Sequence, residues 1–140
     1  MGPQALGLAW LVAATATLGS LYYSEVAGLI PCELCWYQRI AMYPLAVVLG
    51  VAALRGDLRA RAYALPLSIA GLVLAAYHYW LQLKPGRGPS VCSADVPCSA
   101  MLVREFGFVS IPFMAACGFA AITALLLNHA EDGCATKGVR

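Results

Sequence analysis

Residues 36–54 read Trp36-Tyr37-Gln38-Arg39-Ile40-Ala41-Met42-Tyr43-Pro44-Leu45-Ala46-Val47-Val48-Leu49-Gly50-Val51-Ala52-Ala53-Leu54, and residues 55–61 read Arg55-Gly56-Asp57-Leu58-Arg59-Ala60-Arg61. The first stretch is long enough to cross a bilayer, which takes about 20 mostly apolar residues in a helix. Its one charged residue, Arg39, stands near its start. The second stretch carries three arginines in seven residues, and loops rich in Lys and Arg stay on the cytoplasmic side of a membrane. A span that ends in such a loop sets both the solvent of the fold and its direction.

Three further stretches have the same character, approximately Ala5–Tyr23, Ala62–Leu83 and Phe108–Asn128. Of the 140 residues 61% are hydrophobic and 11% charged, and the mean hydropathy is +0.75. A soluble domain of this length needs far more charge to cover its surface. The expectation is an all-α integral membrane four-helix bundle, helices approximately 5–23, 36–54, 62–83 and 108–128, forming one transmembrane domain over 1–140 without a soluble appendage. The N-terminal run lacks the basic start of a signal peptide, since the first Lys or Arg is Arg39, so it is read as a retained first helix. The net charge of +2 is small and its basic residues are scattered. No nucleic-acid footprint is present.

If the arginine loop is cytoplasmic, alternation puts the loop between helices 1 and 2 outside, loop 3–4 outside and both termini inside. Lys137 and Arg140 in the tail agree, whereas Lys84, Arg87 and Arg104 dilute the signal in the long loop 3–4. This topology sorts the six cysteines. Cys32 and Cys35 fall in the first outer loop, Cys92 and Cys98 in the second. Cys117 falls inside helix 4, as a small core residue, and Cys134 in the cytoplasmic tail, as a reduced thiol. Two pairs therefore face the side on which disulfides persist.

The first pair has the spacing Cys32-Glu33-Leu34-Cys35. Cys-x-x-Cys is a redox spacing where one thiolate is stabilised. With helix 2 starting near Cys32, Cys35 lies in the first turn, where the positive end of the helix dipole favours a thiolate. Arg39 follows four residues later on the same face and adds a permanent cation. Two blander readings stand beside this one. Four sulfurs from both loops would make a zinc site, but on an oxidising face no metal is expected. A disulfide kept only for stability gains more by joining the two loops than by closing so short a ring. The second pair, Cys92-x5-Cys98, sits among Pro85, Gly86, Gly88, Pro89 and Pro97, a composition that suits an irregular shuttle segment. Met101–Phe106 reads either as a short surface helix or as the approach to helix 4.

Residues 32–45, Cys-Glu-Leu-Cys-Trp-Tyr-Gln-Arg-Ile-Ala-Met-Tyr-Pro-Leu, resemble the signature of the DsbB family, including its BdbC-type members. Ala76-Tyr77-His78-Tyr79 and Gln82 in helix 3, the second outer pair, and Ser110-Ile111-Pro112 at helix 4 carry the resemblance over essentially the whole chain. It implies a quinone-dependent thiol oxidase of the bacterial cytoplasmic membrane that re-oxidises a DsbA-like thioredoxin-fold partner, with ubiquinone or menaquinone as electron acceptor. It also implies an order. Cys92 is attacked by the reduced partner, Cys98 then attacks Cys32, and Cys35 is released facing the quinone. Arg39 and His78 are the implied quinone-side residues. The compact spacing of the second pair departs from the longer insertion of many members, which bears on partner docking.

A quinone-reducing relative of the vitamin K epoxide reductases also has four helices and two cysteine pairs, but the Cys-Glu-Leu-Cys-Trp-Tyr-Gln-Arg run favours the DsbB family. A small transporter or structural membrane protein with outer disulfides is the rival of another class. A proton-coupled transporter usually needs an acid within the membrane, and here every Asp and Glu falls in a loop, a tail or a helix end. His78 also reads as a packed histidine bonded to a neighbour. Trp36, Tyr37, Tyr77, Tyr79 and Trp80 read first as an interfacial aromatic belt, with some of them as candidates for lining a quinone groove.

Overall fold

The computed structural model describes residues 2–84 and 110–137, with side chains from 4 to 84 and from 110 to 128. Among these residues the chain is all-α, with four long helices: α1 (Gly2–Leu21), α2 (Glu33–Arg55), α3 (Arg61–Leu83) and α4 (Ile111–Lys137). The segments Gln4–Val26, Glu33–Arg55, Leu58–Leu83 and Ile111–Asn128 are each long and apolar enough to cross a membrane. Leu18, Val47, Leu54 and Val73 are largely exposed on the bundle's outside. An all-helical surface of this kind satisfies its backbone internally and suits lipid. The protein is a multi-pass membrane helical bundle.

The helices close into a ring in which α1 packs on α2 and α4, and α3 on α2 and α4. The core runs through Leu6, Leu45, Leu49, Phe119, Ile122 and Leu126. Lipid offers no hydrophobic drive between helices, so close approach and interhelical hydrogen bonds hold such bundles together. Both are present. Gly71 of α3 lets the Phe119 ring of α4 lie against its backbone, where a Cβ would overlap the ring. Beside it, the Ser68 hydroxyl donates to the Phe119 carbonyl at 3.1 Å and sits 2.7 Å from the Thr123 hydroxyl. Gly50 of α2 gives room in the same way to Trp10 of α1.

Local chemistry sets the ends. Gly56, at φ +65°, closes α2, a left-handed position that only glycine takes without cost. Asp57 then accepts a hydrogen bond from the Arg59 N–H at 2.9 Å, and a 3₁₀ turn over Leu58–Ala60 leads into α3. At the other end α1 widens into a π-helical turn, Tyr22–Val26, before Gly28, at φ +69°, turns the chain towards α2. α2 starts at Glu33, three residues before the long apolar run, because Cys32 is its N-cap. Pro112 lies at the second residue of α4, where a missing N–H costs no helix bond.

One expectation is corrected. Cys117 is exposed on α4 and is not a core residue. Lipid accepts a small apolar side chain as readily as the core does, so an apolar pattern alone does not say which way it faces. Cys92, Cys98 and the Met101–Phe106 segment lie outside the described residues, as do the side chains of His129 and Cys134.

A candidate dithiol site at one end of the bundle

The site begins with the start of α2. Cys32 has an extended backbone, and its carbonyl accepts the first helical hydrogen bond, from the Trp36 N–H at 3.1 Å. Its side chain makes no capping bond to the helix. Leu34, 3% exposed, packs with Cys32 against Leu81 of α3 and pins this first turn of α2 to that helix. His78 sits one turn before Leu81 on α3, and Gln82 one turn after His78; both are buried.

Cys32 Sγ lies 3.2 Å from Cys35 Sγ. A bond between the two would need them to close by roughly 1.2 Å. Cys32 is buried and Cys35 half-buried. The two sulfurs have different neighbours. Cys32 Sγ is 3.6 Å from His78 Nε2, and His78 Nδ1 is 3.0 Å from the Gln38 side-chain amide nitrogen. Cys32 stands just ahead of the spanning segment, and its thiol is held well below its ordinary pKa. The hydrogen bond with Cys35 is the largest cause; burial opposes it, and His78 adds to it. The structure thus gives Cys32 the polar contacts, where the helix dipole and Arg39 had pointed to Cys35.

Cys35 instead faces a cavity of about 630 Å³ between α1, α2 and α4. Gln38, Arg39, Tyr43 and Tyr23 bring polar groups to its wall, while Leu11, Val12, Met42, Met114 and Phe119 supply apolar surface. Arg39 is held in place from α1. Its guanidinium donates to the Ser20 carbonyl at 3.2 Å and the Ser24 hydroxyl at 3.3 Å, and it lies 5.3 Å over the Trp36 ring. Ser24 belongs to the π-helical turn and Ser20 lies just before it. Such widened turns collect at functional sites because they re-aim side chains and free carbonyls.

Of the residues singled out in the sequence, Cys32, Cys35, Arg39 and His78 come together here. His78 does not line the cavity; it stands behind Cys32. Trp36, Tyr37, Tyr77, Tyr79 and Trp80 do not line it either. Tyr77 stacks on Trp80 at 6.1 Å and Tyr79 packs on Phe113 at 5.5 Å. The residues missed by sequence reasoning are Gln38, Tyr43, Tyr23 and the two serines. Gln38 and Tyr43 did carry a signal, as polar groups within an apolar span. Among the described residues, the donor atoms of Cys32, Cys35 and His78 lie within 4.8 Å of one another, three of the four ligands that a closed zinc site takes.

The comparisons with known proteins agree with a thiol chemistry. The family model described as "DsbB: Disulfide bond formation protein DsbB" matches residues 3–131. "Disulfide bond formation protein C" of Bacillus subtilis (strain 168) is 50% identical over 114 residues, 81% of this chain and 83% of the relative. A "Probable disulfide formation protein" of Oceanobacillus iheyensis is 47% identical over 132 residues, 90% of this chain and 89% of the relative. Another from Chlamydia caviae is 45% identical over 124 residues, 89% and 90% of the two chains. No solved structure matches the chain. A membrane bundle with a buried dithiol at one end, matched by the family model over nearly its whole length, belongs to the DsbB family of disulfide bond formation proteins.

Proposed function

We propose that this membrane thiol oxidoreductase re-oxidises a DsbA-like thioredoxin-fold partner and passes the electrons to a membrane quinone. In this reading the protein lies in the bacterial cytoplasmic membrane with both termini in the cytoplasm, so that the dithiol end faces the exported proteins. The carrying observation is that Cys35 and Arg39 share one cavity between α1, α2 and α4. A quinone is a flat ring with two carbonyl acceptors and an apolar tail. The cavity offers a charged donor at Arg39, polar groups at Gln38 and Tyr43, and apolar walls on α1 and α4, so the residues present fit such a molecule. When bound, a quinone supplies the sink for two electrons and two protons.

This chain's own residues do the rest. Arg39, fixed by Ser20 and Ser24, presents a charged donor that needs no reorganisation on binding. Cys35 presents its sulfur to the cavity, and Cys32 stays on the α3 side, paired with His78. Cys92 and Cys98 carry exchange with the partner through mixed disulfides, in which a thiolate attacks one sulfur and releases the other. The balance is one partner dithiol oxidised for one quinone reduced to quinol.

The test is turnover in detergent. The purified protein is given a reduced thioredoxin-fold dithiol protein and a short-chain ubiquinone or naphthoquinone, and quinone absorbance is followed. Loss of quinone in step with the partner's thiols is the expected result. Partner oxidation that proceeds equally well without quinone, in the absence of oxygen, overturns the proposal.

A further inference from the structure

Two sulfurs 3.2 Å apart share one redox task, yet only one of them touches an imidazole. We infer that His78 holds Cys32 as the thiolate of the reduced pair by donating a hydrogen bond from Nε2, and that Gln38 is the positioning residue that fixes the ring for this. The assignment goes beyond the proposed function and rests on it only in taking the pair to cycle between dithiol and disulfide.

The geometry begins at the far side of the ring. Gln38 and His78 are both buried, at 5% and 1% exposure, and their side chains meet at 3.0 Å. The Gln38 amide nitrogen has hydrogen to give and no lone pair to accept with. A bond from it to Nδ1 requires Nδ1 to be bare, which puts the ring hydrogen on Nε2. That atom points at Cys32, 3.6 Å away. A leucine at position 38 would remove this constraint on the tautomer, which is decided by what the other ring nitrogen bonds to. Leu34 and Leu81 hold the thiol and the ring's helix together from the adjacent turn.

Among the described residues, the charged and titratable groups around Cys32 are few. α3 brings His78; α2 brings Cys35 and, one turn further on, Arg39, with Glu33 exposed to the outside. α1 carries no titratable side chain between Gly2 and Leu21. The depressed pKa of the Cys32 thiol is in line with this arrangement.

The consequence is a division of labour. Closing the pair forms one S–S bond and passes two electrons to the quinone of the proposed function; Cys35 gives up its thiol proton, and the second proton left for solvent when Cys32 became the thiolate. Cys32 joins Cys35 as the thiolate, the reactive form of the sulfur, while the electron pair lost by Cys35 goes to the quinone. Cys35 faces the cavity. Cys32, held by His78, is the sulfur kept ready to close the ring.

The experiment needs neither quinone nor partner, so it stands apart from the test of the proposed function. Reduced full-length protein in detergent is alkylated with iodoacetamide across the acid-to-neutral pH range, and the Cys32 peptide is quantified by mass spectrometry, in wild type and in a Cys35→Ser background. His78→Gln, which keeps a neutral polar side chain, and His78→Phe are expected to raise the pH at which Cys32 alkylation reaches half its maximum by about one unit or more. Gln38→Leu is expected to raise it less. In wild-type protein carrying ¹⁵N-histidine, of which the chain has two residues, His78 is expected to show a bare Nδ1 and a protonated Nε2, and Gln38→Leu a mixture of tautomers. A Cys32 alkylation midpoint within about 0.3 pH unit of wild type in both His78 variants, or a wild-type His78 ring with Nδ1 protonated and Nε2 bare, overturns the assignment. A wild-type midpoint and tautomer in Gln38→Leu remove Gln38 from it.

Discussion

At the Gly56 end of the bundle, Leu6, Leu49, Ala52, Ala64 and Leu126 close on one another with almost no exposure. At the cysteine end the same four helices bury Gln38, His78, Gln82 and Ser110 and leave a cavity of about 630 Å³. Each buried polar group in a low-dielectric interior is costly unless paired, and an open cavity forfeits packing contacts. A bundle selected for stability alone would be packed alike at both ends. The difference teaches that the packed half carries the fold, and that the cysteine end holds cavity and polar groups in place for chemistry.

The comparison breaks most sharply at the sulfurs. Cys32→Ala and Cys35→Ala are expected to reduce partner-dependent turnover by about 10³-fold or more, because no other side chain of the site replaces a lost thiolate nucleophile. Their thermal unfolding in detergent is expected to stay close to wild type. Turnover above a tenth of wild type in either variant would remove the pair from the reaction.

Arg39 comes next. Arg39→Ala is expected to weaken apparent quinone affinity about 10- to 100-fold, the loss of one charged hydrogen bond of about 1.5–3 kcal/mol. Arg39→Lys is expected to fall between, since lysine keeps the charge and loses the planar fork that spans Ser20 and Ser24. Quinone reduction measured against quinone concentration, per folded molecule, distinguishes this from a guanidinium that only anchors α1 to α2. In that case abundance falls and the kinetics stay unchanged.

The packed half answers to a different readout. Gly50→Ala places a methyl group against the Trp10 ring, and overpacking of this kind costs about 1–3 kcal/mol. The expected outcome is a lower unfolding temperature with normal turnover per folded molecule. Gly19→Ala is its counterpart at the cavity, where a Cβ meets nothing within 4 Å. That substitution is expected to leave unfolding unchanged and to shift only the apparent quinone affinity. Equal losses of stability in both would mean that the two ends are packed alike. The smallest effect is expected at Cys117, exposed on α4: Cys117→Ser should change stability by less than about 0.5 kcal/mol.

Much of the fold is legible in the amino-acid sequence. Four apolar runs give the spans, because a span depends on composition over many residues. Cys32, Cys35 and Arg39 are legible because they sit within one turn or two of each other on one helix. The pairing of Gln38 with His78 is not, since forty positions separate them and only the packing of α2 on α3 joins them. The π-helical turn at Tyr22–Val26 is hidden for another reason. In a uniformly apolar run, spacings of four and five residues look the same, so nothing marks where Ser20 and Ser24 turn towards Arg39. The aromatic residues that line the cavity, Tyr23 and Tyr43, are outnumbered in sequence by those of the belt.

The central claim is that the Cys32–Cys35 dithiol gives its electrons to a quinone seated beside Cys35. The most direct measurement is an anaerobic titration of fully reduced protein with a short-chain quinone, without any partner, counting quinol by absorbance and the Cys32–Cys35 disulfide by mass. The account predicts that each Cys32–Cys35 disulfide closed yields one quinol in wild type, and that neither product forms at that rate in Cys35→Ser. Quinol forming as fast in Cys35→Ser as in wild type, or a disulfide closing with no quinol produced, would contradict it.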